Sequence, residues 1–277
     1  MTPIRCGAMN HVNAVIDDFD QTVDFFTEVY GAQFLVDMPR DEWHACLIAI
    51  GRVIFQFFSP HDNLLHARFG PHYVGIEYTV PDVGEARDAT NARGIRIARE
   101  LGPAFHVHPL DAYGVSFEFY DHDFHAVPSP VPYLEPIHPI EFWRDDHPLG
   151  ITGLKRYRVV VSDLDGAKRF LCEYVNGTVT YEVERKATQA RAVGIELGDT
   201  VVELLSPTED GPLERFLARN GDGIRSVVFG TTNVEQARSH FASHGVELLP
   251  GDDEESFAVR PGDNAGLLFE FTEAATG

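Results

Sequence analysis

Four stretches of the chain share one pattern of apolar and polar positions. Each opens with strand-like alternation, passes through an acidic or polar turn and continues at helical spacing: "HVNAVIDDFDQTVDFF" (11–26), "VGIEYTVPDVGEARDA" (74–89), "RYRVVVSDLDGAKRF" (156–170) and "SVVFGTTNVEQARSHF" (226–241). In the first, Val12, Ala14 and Ile16 alternate with His11, Asn13 and Val15, which predicts a strand with one face packed on a helix. Asp17 or Asp18 then stands where a helix cap is wanted. Val23, Phe26 and Val29 recur at helical spacing, and Gly31 predicts the stop.

A second pattern closes each stretch: "VIFQFFSP" (53–60), "VSFEFYDH" (115–122), "VVELLSPT" (201–208) and "LLFEFTEA" (267–274). The same strand recurs with a polar residue at the same place, Gln56, Glu118, Glu203 and Glu270 in turn. Between the two patterns of the first copy lie the alternating segments "AQFLVDM" and "HACLIAIG", so one copy reads strand, helix and three strands. The expectation is an α+β protein of four βαβββ modules.

Composition narrows the function classes. With 277 residues, 44% hydrophobic and 23% charged, the chain has room for two domains with sizeable cores. Its 43 acidic against 22 basic residues give a net charge of −21, which argues against nucleic acid or an anionic membrane as partner. Three scattered cysteines, Cys6, Cys46 and Cys172, make no disulfide framework, and no apolar run suits a signal peptide or a spanning helix. A cytoplasmic location is expected. The proline-rich stretch "HAVPSPVPYLEPIHPIEFWRDDHPLG" reads as a connector, with Tyr133, Phe142 and Trp143 placed to pack on something. The expected division is therefore 1–125, a connector over 126–150, and 151–277, in a monomer or homodimer.

The four βαβββ modules resemble the vicinal oxygen chelate superfamily, which holds glyoxalase I, extradiol dioxygenases, methylmalonyl-CoA epimerases and bleomycin-resistance proteins. The local match is to the epimerases, over "VVELLSPTEDGPLERFLARNGDGIRSVVFGTTNVEQARSHFASHGVELL" (201–249). The resemblance implies that two modules pair into a half-open barrel around a divalent metal, with ligands from the first and last strands of each module. Carried over, those positions are His11, Gln56 and Glu118 in the first pair. The fourth position is open: the turn aligns Gly75 there, Tyr73 and Glu77 share its face, and a one-residue shift brings in His72. In the second pair the positions are Arg156, Glu203, Ser226 and Glu270. Arginine offers no lone pair, so this half is expected to hold no metal, its carboxylates and Arg156 forming a salt-bridged interior. Lys155, Arg156 and Arg158 as an anion grip is the alternative. If the first module paired instead with the fourth, the set would be His11, Gln56, Ser226 and Glu270; the connector favours sequential pairing.

Eleven of the thirteen histidines precede residue 150, which also points to the first half. His106 and His108 alternate onto one strand face and read as packed or solvent-facing, whereas His44 starts a strand that reaches the cavity. The implied cofactor is one divalent ion of Fe, Co, Mn, Ni or Zn, with Glu118 and His44 as the groups that move protons. The implied activity is that of an isomerase or lyase on a small carbonyl or thioester compound, through an enolate. Two alternatives stand beside it. One is an extradiol Fe(II) dioxygenase, which needs a second histidine such as His72; the other is a metal-free binding protein of the drug-resistance kind.

Overall fold

The computed structural model describes residues 2–60, 70–126, 134, 136–253 and 256–273; Tyr133 lies outside them. The four modules form as the pattern predicts. The first runs β1 (Met9–Val15), α1 (Phe19–Tyr30), β2 (Gln33–Pro39), β3 (Trp43–Ile50) and β4 (Val53–Pro60). The second runs β5 (His72–Thr79), α2 (Val83–Ala92), β6 (Ile97–Glu100), β7 (Ala104–Val107) and β8 (Ser116–Tyr120). The third is β9 (Ile151–Val160), α3 (Leu164–Tyr174), β10 (Thr178–Arg185), β11 (Ala190–Leu197) and β12 (Thr200–Pro207), followed by α4 (Pro212–Asn220). The fourth is β13 (Gly223–Thr231), α5 (Val234–Ser243), β14 (Leu248–Pro250), β15 (Ser256–Val259) and β16 (Leu268–Thr272).

Each module helix starts at a short polar side chain that takes the amide three residues on. Asp18 accepts from Gln21, Asp82 from Glu85, Asp163 from Gly166 and Asn233 from Gln236. The turn from strand to helix is thus built four times in the same way, which keeps the first strand of every module in the same relation to its cap.

Two open eight-stranded sheets result. The first and second modules share one, in the order β2-β3-β4-β1-β5-β8-β7-β6; the third and fourth share the other, β10-β11-β12-β9-β13-β16-β15-β14. Strand pairing is therefore sequential, and it puts the first strand of each module in the middle of a sheet. Every residue of β1 is buried.

By contacts the chain forms two compact units. One comprises Met1–His11, Val74–Pro130 and Tyr157–Arg225; the other comprises Val12–Tyr73, Val131–Arg156 and Ser226–Gly277. The first unit is closed by aromatic packing of Phe117 and Phe119 with Phe170 and Tyr174, and by the buried hydroxyl pairs Tyr78–Tyr157 and Thr90–Tyr174. The second unit packs Phe26, Phe55, Phe229 and Phe269 ring on ring, and Tyr30 donates to Asn264 Oδ1 at 2.6 Å. In this second unit the connector residue Trp143 is fully buried, and Phe142 packs at a tilt against the rings of His138 and His147. Among the described residues no helix is long and apolar enough to cross a membrane.

Candidate metal centre

His11 on β1, Glu77 on β5 and Glu118 on β8 come together inside the first compact unit. Their ligand atoms all lie within 4.8 Å of one another, and among the described residues this is the one such group of histidine, cysteine and carboxylate side chains. His11 Nδ1 is 3.3 Å from Glu77 Oε1, and His11 Nε2 is 3.5 Å from Glu118 Oε2. These are ion-pair distances without good hydrogen-bond geometry. Both ring nitrogens of His11 are left buried with no hydrogen-bond partner among the described residues.

Strand register explains why these residues meet. β5 and β8 run parallel, and Glu77 stands directly opposite Glu118. Counted from the capping aspartates, Gly75 stands before Asp82 where His11 stands before Asp18. A side chain at Gly75 is impossible, because its Cβ would sit 1.8 Å from the carbonyl oxygen of Ser116 on β8. The acid two residues further along the same face takes the place. Of the open alternatives, Glu77 is the one brought to His11. Tyr73 donates to the Leu268 carbonyl at 2.9 Å, and His72 Nδ1 bonds the Gly70 carbonyl at 2.8 Å.

The surroundings fix the group in place. Asn10 Nδ2 donates to Glu77 Oε1 and to the His122 carbonyl, both at 2.8 Å, and Asn10 Oδ1 accepts from Phe124 N at 2.9 Å. Phe124, placed by those bonds, stacks on the His11 ring with centroids 5.4 Å apart. His106 on β7 stands opposite Glu118, its Nε2 3.2 Å from Glu118 Oε1. His106 is thus a site residue that sequence reasoning set aside. Alternation gave its face, but only the β7–β8 register brings it to a carboxylate.

Charge states follow from burial and neighbours. Burial works against a charge on His11, but Glu77 and Glu118 outweigh it and lift the imidazole to about 10. Glu77 is pushed up to about 7, first by burial and then by Glu118, against the pull of His11. Burial also opposes ionisation of Glu118. There His106 and then His11 prevail, and the carboxyl is held well below the usual carboxylate range.

Of the other expected residues, His44 and Gln56 belong to the second compact unit and His108 to the first. His44, expected to move protons, is half-buried on β3 with Nε2 2.6 Å from Asp37 Oδ1 and its ring stacked on Phe19. Gln56 is half-buried on β4 opposite Leu47; it belongs to the second compact unit, and its part rests on its sequence position. His108 caps the turn Pro109–Asp111 by accepting from Leu110 N.

The corresponding carboxylates of the other sheet are committed to protein partners. Glu203 takes Arg158 Nε at 2.6 Å and Arg185 Nε and Tyr181 OH at 3.0 Å each. Glu270 takes Ser226 Oγ at 2.6 Å and Asp252 N at 2.7 Å. A salt-bridged interior forms, as expected, but Arg158 is its cation for Glu203, while Arg156 pairs with Asp253.

A family model matches residues 8–127 and 153–271, and the chain belongs to that family, the Glyoxalase/Bleomycin resistance protein/Dioxygenase superfamily. A 4-hydroxymandelate synthase variant from Streptomyces coelicolor superposes with a TM-score of 0.74 at 14% identity, covering 98% of this chain and 94% of that one. A Mn(II)-bound glyoxalase from Novosphingobium aromaticivorans superposes with a TM-score of 0.63 at 13% identity, covering 97% and 82%. The uncharacterized protein YaeR of Escherichia coli is 28% identical over 100 residues, 36% of this chain and 76% of that protein. At these identities the structural likeness speaks for the fold.

Proposed function

We propose that the chain is a divalent-metal-dependent isomerase or lyase acting on a small carbonyl or thioester compound by enolate-type chemistry, with His11, Glu77 and Glu118 as its ligands. The observation that carries this reading is the pair of buried His11 nitrogens facing two carboxylates without a hydrogen bond to either. Donors of one ion at 2.0–2.2 Å stand about 3 Å apart, and imidazole with carboxylate suits a borderline ion such as Mn, Co, Ni or Zn. When bound, the ion supplies a Lewis acid that stabilises an oxyanion on the substrate.

The chain's own residues do the rest. Glu118, held ionised, is a ligand in every state. Glu77, whose proton affinity lies near neutrality, is better suited than Glu118 to carry a proton. Phe124 over His11 excludes water, and Asn10 orients Glu77. A ring-cleaving Fe(II) dioxygenase would ask for two imidazoles and one carboxylate. His72, named for the second imidazole, is not in the group formed by His11, Glu77 and Glu118.

The test is elemental analysis of gently purified protein beside His11→Ala and Glu118→Ala. Near-stoichiometric metal in wild type that is lost in both variants supports the reading. Wild type that takes up no divalent ion even on incubation would leave a metal-free binding protein.

A further inference from the structure

Glu118 is the side chain at the centre of the site, and its two oxygens have different neighbours. Oε2 faces His11 Nε2, while Oε1 faces His106 Nε2 at 3.2 Å. His106 is only 4% exposed, and β7 places it directly across from Glu118, so the contact is set by strand register rather than by a flexible tip. An ionised carboxylate only accepts, so the imidazole must donate its Nε2 proton. His106 is also outside the group whose ligand atoms lie within 4.8 Å of one another. It is near enough to hold Glu118 and too far to share its ion.

We propose that His106 is a positioning residue that donates Nε2–H to Glu118 Oε1, turning Oε2 toward His11 and presenting it to the metal. The inference rests on the metal-site reading above. A carboxylate with one oxygen tied by a buried donor has one productive orientation left, so the ion meets a preset ligand instead of ordering a free one.

A length-matched set of substitutions tests this through metal affinity, measured by competition with a chromophoric chelator. In His106→Gln the amide nitrogen falls at the same place along the side chain as Nε2 and keeps the donor. His106→Asn is one bond too short, and His106→Leu has no donor. Wild type and H106Q should agree within about threefold, whereas H106N and H106L should bind about 10–100-fold more weakly, the usual loss when the partner of a ligand is removed. Equal affinity in all four proteins would overturn the positioning role and leave the metal site standing. Wild type that binds no metal would overturn both.

Should a variant not fold, wild type alone decides by nitrogen-15 imidazole spectra with and without Zn(II). The expected result is an Nε2–H tautomer for His106 in both states, with coordination shifts at His11. A coordination shift at His106 would make it a ligand and refute the proposal.

Discussion

Glu77 and Glu118 face each other across the parallel strands β5 and β8, and His11 lies against both. Two buried carboxylates sharing one imidazole repel each other, which is part of why Glu77 is pushed up to about 7. Glu77→Gln removes that repulsion and a ligand together. The metal-free variant should melt no lower than metal-free wild type, while its metal affinity falls by more than the roughly 10–100-fold that an outer partner costs. A variant that binds metal as wild type does would remove Glu77 from the ligand set.

Asn10 makes three hydrogen bonds, to Glu77, to the His122 carbonyl and from Phe124 N, and so fastens the segment after β8 over the site. At about 1 kcal/mol each, Asn10→Ala should cost about 3 kcal/mol of stability. The more telling readout is the rate at which a chelator strips the metal. It should rise in Asn10→Ala and also in Phe124→Ala, which uncovers His11; unchanged rates in both would mean that metal leaves by another route.

Arg158 and Glu203 are both fully buried and paired at 2.6 Å. Glu203→Ala removes the buried carboxylate that holds both Arg158 and Arg185, and breaking a buried pair in this way costs about 3–5 kcal/mol. Urea unfolding should show a midpoint lowered accordingly, with metal content of the folded protein unchanged. A loss below about 1 kcal/mol would show that Arg158 finds water or another acid.

His147, in the second compact unit, provides a pH dependence of its own. Its imidazole lies against the end of α1, where a Cβ on Gly31 would come within 2.4 Å of Nε2. Burial first, and then the neighbouring His240, lower it to about 4, against a bond to the Tyr30 carbonyl that works the other way. Because the folded-state value lies below the ordinary 6.5, its contribution is complete above pH 6.5 and is lost as pH falls towards 4. Stability measured from pH 7 to 4 in wild type and His147→Gln should show a shallower acid loss in the variant; parallel curves would count against His147 as the group responsible.

Much of the architecture was legible in the chain itself. The fourfold alternation, a cap at Asp17 or Asp18 and the repeated closing strand are local signals, and the structure forms them, with Asp18 as that cap and Asp82, Asp163 and Asn233 in the same role in the other modules. His11 and Glu118 were named from the sequence because the family resemblance implies ligands on the first and last strands of a module, and His11 stands seven residues before its cap as the matching residue does in every module. What the sequence left open was decided between strands. Gly75 yields to Glu77 because the Ser116 carbonyl approaches too closely for any side chain. His106 joins the site, and Arg158 rather than Arg156 takes Glu203, because registers on neighbouring strands set them opposite. Alternation along one strand determines which face a residue occupies; which residue it meets there depends on the register of the next strand, and non-local packing sets that.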